Sequence, residues 1–494
     1  MVFPVIGGDG KPTGYDISNS LRFNDGDSAY LSRTPSTATN DDKLTFSFWA
    51  KRSTPSANHK ILTRYSSADN RFYIGWANND KLYIYQKVGG TESFNLQTNR
   101  LFRDPSAWYH IVVAFDTTQG TDTNRIKLYV NGTQETSFST SNYPTQNLDL
   151  YYQTATSVVA KIGQYDSSQY YDGYFSDMYL IDGQQLAPTE FGETNDNGVW
   201  IPIKYLGTYG DEGFKLEFKQ TGTSQNSSGM GADTSGNDHH FAVSNLAATD
   251  VTTDTPTNNF ATFNALYASN TQTNGYRTTL SEGNLKAVSQ ADGKTSGISS
   301  IGVANGKWYA EFKQTAVSNA NGYGLVGVHS DLTPMLHNNP NGNGVLGYSP
   351  HGYAYWGYNA STSDGYKMND DNNSTYGSPY DAGDIIGLAI DLDNGAMYVS
   401  LNGTFQESSD PTSGASKTNA IFALPDASTK PDGFYFMSVG DSSSTHTVTW
   451  EANFGNPTFA ISSGNSDANG YGNFEYAVPS GYYALCTKNI AEYG

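Results

Sequence analysis

The chain has 494 residues, of which 15% are charged and 14% aromatic, and its formal net charge is −20 from 48 acidic and 28 basic residues. No cluster of Lys and Arg is present that would neutralise phosphates, which argues against nucleic acid and anionic membranes as partners. Cys486 is the single cysteine, so a disulfide framework and a thiolate metal cage within one chain are excluded. No stretch approaches about 18 consecutive apolar residues, so no membrane insertion is expected.

The composition favours strands over helices. There are 51 Gly and 36 Tyr, with much Thr, Ser and Asn, and these residues are typical of strands and tight turns. No sustained apolar stripe with helical spacing is present, so few or no long helices are expected. The prediction is an all-β protein. The first residues lack the basic region and apolar run of a signal peptide, and we expect the protein to be made in a cytoplasm.

Residues 1–18 are polar and Gly-rich and are predicted to form an N-terminal arm, either flexible or used for docking. Residues 19–200 are predicted to form a first sandwich around a long hairpin at 108–132. Apolar residues alternate along both strands of this hairpin, and Asn131-Gly132 closes it. Further strands are predicted at Leu21–Phe23, Lys43–Lys51, Phe72–Trp76, Leu82–Tyr85, Val158–Gly163 and Gly173–Ile181.

The motifs of this region carry a resemblance. They are, in order, S-L-R-F-N-D-G-D-S-A-Y-L, F-S-F-W, W-Y-H-I-V-V-A-F-D, I-K-L-Y-V-N-G and D-G-Y-F-S-D-M-Y-L-I-D-G-Q-Q-L. Together they resemble the laminin-G/concanavalin A-like lectin and glucanase superfamily. The resemblance implies a jelly-roll sandwich over residues 19–200.

Residues 201–257 are predicted to be a junction, with one added strand of the first sandwich at Gly213–Phe218 and a polar loop. Two stretches around it, I-D-G-Q-Q-L-A-P-T-E-F-G-E from Ile181 and D-T-P-T-N-N-F-A-T-F-N-A-L from Asp254, resemble structural proteins of tailed phages that infect marine bacteria (cyanophage-type). This resemblance implies a virion protein.

Residues 258–457 are predicted to form a second antiparallel sandwich around a hairpin at 384–403. Alternating Ile and Leu residues fill one face of its first strand, Asp393 to Gly395 form its turn, and Asn402-Gly403 closes it as Asn131-Gly132 closes the first. Two hairpins of one design predict two sandwiches in tandem.

The second region resembles a SPRY (B30.2-type) domain. The resemblance rests on K-W-Y-A-E-F, G-Y-G-L-V-G-V, G-D-I-I-G-L-A-I-D-L-D-N-G, G-F-Y-F-M and N-F-G in this order. It implies a recognition module without enzyme chemistry. Residues 458–494 are predicted to be a C-terminal tail, in which G-Y-Y-A-L-C-T-K-N resembles a segment that follows SPRY domains in large phage proteins.

The sequence disfavours catalysis. Glucanases on concanavalin A-like folds place carboxylates on alternate residues of one strand, and the pattern E-x-D-x-x-E is absent. Asp391 and Asp393 come closest, but they lie at a turn, where Asp is common. The chain is therefore predicted not to be an enzyme.

No cofactor is assigned from the sequence. Asp391 to Gly395 fails as an EF-hand loop because its Gly comes one position early and strands flank it. No H-E-x-x-H motif is present, and His239 and His240 lie in a polar loop. The Asp- and Asn-rich segment 364–384 has oxygen ligands suited to Ca²⁺, but no ligand set can be assigned and we interpret it as a long solvated loop.

Two clusters of aromatic residues in polar segments are the candidate binding sites. Their ring faces suit the C–H faces of sugars while Asn and Asp neighbours accept hydroxyl protons, although the same rings would also fill a core or a subunit interface. The candidates for glycan or partner binding are Tyr353, Tyr355, Trp356, Tyr358, Tyr165, Tyr170 and Tyr171.

The resemblance to phage proteins, together with the absence of catalytic motifs, implies a non-enzymatic structural and binding protein of a phage virion: a fibre, a capsid decoration or a tail appendage. Its expected partners are other virion proteins, host-surface glycan and copies of itself, and the resemblance to phage appendages implies a trimer. It would be made in the host bacterial cytoplasm and found in the virion. The alternatives are a secreted glycan-binding lectin and a glycan depolymerase.

Overall fold

The computed structural model describes residues 15–268, 278–290, 296–318, 322–332, 346–357, 364–443 and 445–494. The chain divides into two compact units, Met1–Thr257 and Asn258–Gly494. Each unit contains two large β-sheets that pack around a core of apolar side chains. The fold is therefore all-β with two antiparallel sandwiches in tandem, which confirms the predicted fold class.

The first unit contains strands that the alternation of apolar residues predicts well, together with several short ones. They are β1 Ser20–Phe23, β2 Tyr30–Arg33, β3 Lys43–Arg52, β4 His59–Ser67, β5 Asn70–Trp76, β6 Leu82–Val88, β7 Thr91–Thr98, β8 Trp108–Asp116, β9 Ile126–Val130, β10 Thr133–Glu135, β11 Phe138–Asn142, β12 Ala160–Ile162, β13 Gly173–Asp182, β14 Gly192–Thr194, β15 Trp200–Pro202, β16 Phe214–Leu216, β17 Ala242–Ser244 and β18 Val251–Thr252.

These strands form two main sheets. Sheet A has the order β10-β9-β8-β3-β13-β1-β18, with β16 also paired to β13. Sheet B has the order β11-β7-β6-β5-β4-β12-β2-β17, and β14 pairs with β15 separately. The strand predicted at Gly213–Phe218 is confirmed as β16, which pairs with β13.

The core of the first unit lies between sheets A and B. From β3, Phe46 and Phe48 point inward, and from β5 the inward side chains are Phe72, Ile74 and Trp76; all are fully buried. Burying each such side chain contributes about 1.5–3 kcal/mol relative to exposure. Because successive side chains of a strand alternate, the residues between them point away from the core.

The outer faces of the two sheets differ. The outer face of sheet A is covered by an apolar layer, in which Tyr179 and Ile181 of β13 pack against Phe191 and Tyr205 from the segment that follows. The outer face of sheet B instead carries tyrosine, lysine and arginine side chains. Sheet B therefore provides the polar and aromatic surface of this unit.

The second unit is built in the same way. Its strands are β19 Thr279–Ser281, β20 Lys286–Val288, β21 Ser296–Val303, β22 Lys307–Val317, β23 Gly324–His329, β24 Gly352–Trp356, β25 Tyr366–Asn369, β26 Asn372–Thr375, β27 Ile385–Asp391, β28 Ala396–Leu401, β29 Thr404–Phe405, β30 Phe422–Ala423, β31 Tyr435–Asp441, β32 Val448–Asn453 and β33 Tyr483–Ala484.

One sheet has the order β19-β20-β32-β22-β27-β28-β29, and the other has the order β21-β31-β23-β24-β25-β26. Strand β30 pairs with β28, and β33 runs parallel to β22. The predicted hairpin is confirmed as β27–β28, with Ile386, Leu388 and Ile390 buried in the core.

Each of the two Asn-Gly pairs forms the turn between one strand and the next. Asn131 and Gly132 have φ values of 47° and 77° and connect β9 to β10, while Asn402 and Gly403 have φ values of 49° and 82° and connect β28 to β29. Two consecutive positive φ values are what a two-residue hairpin turn of this type requires, and Asn-Gly meets that requirement at low cost.

The described helices are short. The α-helices are Tyr151–Thr154, Ala265–Ala268 and Thr487–Tyr493. Single 3₁₀ turns lie at Asp25–Asp27, Asp122–Asn124, Pro188–Glu190, Ala248–Asp250, Gln406–Ser408, Gly414–Ser416 and Ala427–Thr429. None of the helices in the described ranges has the length and apolar character needed to cross a membrane.

Two segments differ from expectation. The segment 364–384 is not simply a long solvated loop, because β25 and β26 form a hairpin there whose turn residues, Asp370 and Asp371, have φ values of 54° and 58°. The segment after residue 457 packs on the second sandwich: β33 pairs with β22, and Phe474 and Cys486 are fully buried. Spaced aromatic residues, rather than a continuous apolar pattern, hold this last segment in place.

Candidate functional site

The predicted aromatic cluster of the second unit lies mostly in its core. Tyr353 is 7% exposed and Tyr355 is fully buried, and the Tyr355 hydroxyl donates to the Ser378 carbonyl. Trp356 is half-buried on the opposite face of β24. Tyr358 lies outside the described residues. In this conformation Tyr353 and Tyr355 therefore present almost no ring surface to a ligand.

The predicted cluster of the first unit divides in the same way. Tyr171 is fully buried, stacked on Phe175 with ring centroids 4.0 Å apart, and its hydroxyl donates to the Lys51 carbonyl at 3.1 Å. Tyr165 and Tyr170 are half-buried and belong to the loop that follows β12. Their glycan-binding role stays a prediction. Tyr165 is also part of a larger aromatic surface.

That surface is the outer face of sheet B, where three rows of side chains cross β4, β5 and β6. The strand register places them opposite one another: Lys60, Gly75 and Tyr83 in one row, Thr63, Tyr73 and Tyr85 in the next, and Tyr65, Arg71 and Lys87 in the third. We define the tyrosine face as Lys60, Arg71, Tyr73, Tyr83, Tyr85 and Tyr165.

The rings of this face contact one another in fixed geometries. Tyr73 stacks on Tyr85 with ring centroids 5.0 Å apart and planes inclined by 18°. Tyr83 meets Tyr73 edge-on at 5.3 Å, and Tyr165 meets Tyr73 edge-on at 5.5 Å. Such stacked and edge-on pairs are favourable and orient the rings. Tyr73 and Tyr85 are only 7% and 6% exposed, so they support the cluster from below, and the half-buried Tyr83 and Tyr165 are the rings that present surface to a ligand.

The hydroxyls of Tyr73, Tyr83 and Tyr165 stay neutral at physiological pH. Burial raises the pKa of Tyr73, Tyr83 and Tyr165 above the usual tyrosine value. A neutral hydroxyl both donates and accepts hydrogen bonds, as sugar hydroxyls do. The face therefore combines ring surfaces with hydroxyl groups suited to a polyhydroxylated ligand.

Lys60 lies beneath these rings. Its Nζ is 4.6 Å from the centroid of Tyr73 and 5.9 Å from that of Tyr165, and the residue is 4% exposed. Gly75, directly across the strand, makes room for it: a Cβ at Gly75 would lie 2.9 Å from the Lys60 Cδ and 2.4 Å from the His59 carbonyl oxygen. Burial lowers the pKa of Lys60 to about 8, and the Arg71 charge acts in the same direction.

Arg71 is half-buried one row further along β5. Its guanidinium lies 5.2 Å from the centroid of Tyr85, and its Nη2 is 3.5 Å from the Tyr85 hydroxyl oxygen. Its buried Nε has no hydrogen-bond partner among the described residues. The face thus contains two cations among neutral rings.

The loop that carries Tyr165 is attached to the sheet at several points. The Gln164 carbonyl accepts from the Thr63 hydroxyl at 2.8 Å, and the Gln169 carbonyl accepts from the Lys60 N–H at 3.3 Å. Ser167 and Gln169 have φ values of 47° and 51°, which non-glycine residues seldom adopt. These contacts hold Tyr165 over the edge of the tyrosine face.

A carboxylate pair that the sequence did not reveal lies on the other sheet. Lys215 Nζ is 3.7 Å from Asp177 and 2.9 Å from Glu217, and the Tyr15 hydroxyl contacts both acids. Burial raises the pKa of Asp177 to about 6. The Asp177 side chain is 3% exposed and also accepts from the Tyr179 hydroxyl, so partners within the protein engage this carboxylate.

No metal site is evident in the described ranges, since no three His, Cys, Asp or Glu side chains gather there to ligate an ion. The sequence analysis missed Lys60, Arg71, Tyr73, Tyr83 and Tyr85. It placed strands over β5 and β6, and the alternation there was the available signal, because Tyr73, Tyr83 and Tyr85 are the residues that point away from the core.

The comparison with protein families agrees with this architecture. Residues 24–190 match the family model Laminin_G_3, described as the concanavalin A-like lectin/glucanases superfamily. The first sandwich is concanavalin A-like. This confirms the resemblance inferred for that region, whereas no curated protein sequence matches the chain.

Solved structures that are similar to part of this chain include the SPRY domain of human HERC1, with 16% identity, a TM-score of 0.25, and coverage of 34% of this chain and 86% of that one. A SAP-like pentraxin from Limulus polyphemus has 14% identity and a TM-score of 0.24, covering 35% and 80%. A putative carbohydrate-binding protein from Bacteroides ovatus has 14% identity and a TM-score of 0.30, covering 46% and 58%. These likenesses, at TM-scores of 0.30 or less, do not bear on function.

Proposed function

We propose that the first unit binds carbohydrate, without cleaving it, at the tyrosine face. The observation that carries this proposal is that two half-buried rings, Tyr83 and Tyr165, are held edge-on against the buried Tyr73 at ring-centroid distances of 5.3 and 5.5 Å. Sugar rings stack on aromatic faces through their C–H groups, while neighbouring polar groups orient their hydroxyls. A rigid array also reduces the entropy that binding costs.

A glycan array probed with the full chain tests this proposal. We expect Tyr83→Ala to weaken binding at least about tenfold, which corresponds to about 1.4 kcal/mol, because a half-buried ring of the face is removed. Tyr129→Ala is the matched control, since Tyr129 is equally half-buried but lies on β9 of sheet A. Absence of binding to every glycan, or equal losses in both variants, would contradict the proposal.

The non-catalytic part of the proposal has its own test. Incubating the protein with each bound glycan should release no smaller oligosaccharide that chromatography with mass spectrometry detects. Release of products would favour the depolymerase alternative, and Asp177 and Glu217 would then be the carboxylates to replace first, because the two lie close together around Lys215.

We propose, further, that the whole chain is a structural and binding protein of a phage virion: a fibre, a capsid decoration or a tail appendage. Its partners would be other virion proteins, further copies of itself in a trimer, and glycan on the host surface. What supports this is the resemblance of three stretches, beginning at Ile181, Asp254 and Gly481, to phage proteins. A secreted lectin is the alternative that keeps the binding role.

Purified particles from a phage that encodes this chain separate these possibilities. Mass spectrometry should detect the chain in the particles, and averaged cryo-EM density at a shell or tail position should accommodate two sandwiches. Light scattering of the isolated protein should give the mass of three copies. If the chain is absent from the particles, the virion proposal is wrong and the lectin alternative is favoured.

A further inference from the structure

Among the described residues, the two cations of the tyrosine face form no ion pair, in contrast to some other basic residues of sheet B. Lys87 pairs with Asp69 at 3.0 Å, whereas neither Lys60 nor Arg71 has a carboxylate within ion-pair distance in the described part of the chain. Lys161, which also points outward on β12, donates to the neutral amide oxygen of Gln164, and its Nζ lies 5.3 Å from the centroid of the Tyr30 ring. The absence of a carboxylate partner for Lys60 and Arg71 among the described residues is notable because the chain has 48 acidic and only 28 basic residues.

Retaining an unpaired ammonium beneath a surface has a cost. Desolvation disfavours the charged form of Lys60, which is 4% exposed, and the nearby Arg71 adds repulsion between like charges. The ring contacts of Lys60 with Tyr73 and Tyr165 offset only part of this. An anion placed over the two cations would remove the repulsion and supply the missing counter-charge.

We propose that the ligand of the tyrosine face is an acidic sugar, whose anionic group binds at Arg71 above Lys60 while its ring stacks on Tyr83 or Tyr165. This inference rests on the proposed carbohydrate-binding function and specifies its ligand class. The half-buried Arg71 presents its guanidinium directly, and guanidinium groups bind carboxylate and sulfate by paired hydrogen bonds. Lys60 acts from below through its charge, which is weakly screened in that environment.

Two carboxylates lie near the tyrosine face, but neither Asp166 nor Glu92 is within ion-pair distance of Lys60 or Arg71. Asp166, in the loop that carries Tyr165, adds to burial in raising the pKa of Tyr65, and Glu92 on β7 does the same for Tyr83. Glu92 accepts from the side-chain amides of Asn95 and Asn142 at 3.1 and 3.0 Å. The chain as a whole repels anions because its net charge is −20, so attraction of an acidic sugar requires a local site.

Isothermal titration of the full chain tests the inference with matched oligosaccharides. The probes are an oligogalacturonate, its carboxyl-reduced neutral counterpart and a sulfated dextran oligomer, each at about 50 mM and about 300 mM NaCl, because screening weakens charge-dependent binding. We expect the acidic probe to bind at least about tenfold more tightly than the neutral one at low salt. Preference for the galacturonate or the sulfated probe distinguishes a carboxylate from a sulfate as the natural group.

The variants are Lys60→Met and Arg71→Gln, with Lys127→Gln as the control that removes one positive charge from the other sheet. We expect either site variant to abolish the preference for the acidic probe over the neutral one, and the control to keep that preference. Equal affinity of wild type for acidic and neutral probes, or an equal loss in Lys127→Gln, would overturn the inference while the glycan-binding function stands. Failure to bind any probe or array glycan would instead remove the proposed function itself.

Discussion

Replacing Lys60 by Met should stabilise the first unit at neutral pH, although it removes part of the proposed site. Burial lowers the Lys60 pKa from 10.5 to about 8, and one pKa unit corresponds to about 1.4 kcal/mol, so the charged form costs about 3 kcal/mol. The contacts with the Tyr73 and Tyr165 rings return about 0.5–1 kcal/mol each. Met has a similar length and keeps most of the apolar packing. The expected gain is therefore about 1–2 kcal/mol at pH 7.

The stabilisation expected from Lys60→Met should depend on pH. The folded-state pKa of Lys60 lies below its unfolded value, so between pH 8 and 10.5 the unfolded chain binds more protons, and wild-type stability rises with pH through this window. Lys60→Met lacks that rise. The advantage of the variant should therefore be largest at pH 7 and should shrink steadily as the pH rises toward 10.5, the unfolded-state pKa.

Urea unfolding at pH 7, 8, 9 and 10 measures both effects, with hydrogen exchange of peptides from β4 to β6 assigning the transition to the first unit. Lys127→Met, on sheet A, is the control and should change neither the stability nor its pH dependence in this way. A loss of more than about 1 kcal/mol in Lys60→Met at pH 7 would refute the reasoning, because the ring contacts would then outweigh desolvation.

Three further predictions concern other parts of the fold. Gly75→Ala should cost about 2–4 kcal/mol in urea unfolding, because its Cβ would lie 2.4 Å from the His59 carbonyl oxygen; a neutral result would mean that β4 shifts freely. Gly403→Ala, at φ 82° with a Cβ 2.4 Å from the Tyr476 ring, should lower the melting temperature more than Gly414→Ala, whose Cβ meets nothing within 4 Å; equal losses would show that backbone strain alone acts. Burial raises the pKa of Asp441 from 3.8 to about 6, so the folded state holds the extra proton and stability should fall as pH rises from about 4 to about 6; Asp441→Asn should remove that fall, and an unchanged slope would assign it to another group.

The sandwiches follow from local pattern because the alternation of apolar and polar residues is set by strand geometry. Alternating apolar residues such as Ile386, Leu388 and Ile390 predict both a strand and which of its faces is buried. The Asn-Gly pairs specify tight turns because few other residue pairs tolerate two consecutive positive φ values. The family resemblance of residues 24–190 rests on the same motifs and was confirmed.

Strands without a clean alternation were missed. Strand β4, His59–Ser67, contains buried His59 and Arg64 where apolar residues are expected. Strand β7, Thr91–Thr98, has only Phe94 and Leu96 as apolar residues on its inner face. Their partners in the sheet determine these strands as much as their own residues do, since register and burial come from pairing.

The candidate site shows the same limit. The sequence shows which segments are rich in tyrosine, but it does not distinguish a tyrosine that fills a core from one that lines a surface. Tyr355 and Tyr171 are fully buried, whereas Tyr165 is half-buried. Composition alone therefore indicated the kind of surface, and the strand register decided which tyrosines form it.

The sequence by itself determined that this protein is built of strands, that two hairpins organise two sandwiches, and where the tight turns fall, because each of these depends on residues that are neighbours along the chain. Only the tertiary structure brought Lys60, Arg71 and Tyr165 together, from three separate segments, and left both cations without a carboxylate partner among the described residues. Electrostatic interactions depend on distances in space, and the positions of Lys60, Arg71 and Tyr165 along the chain do not give those distances.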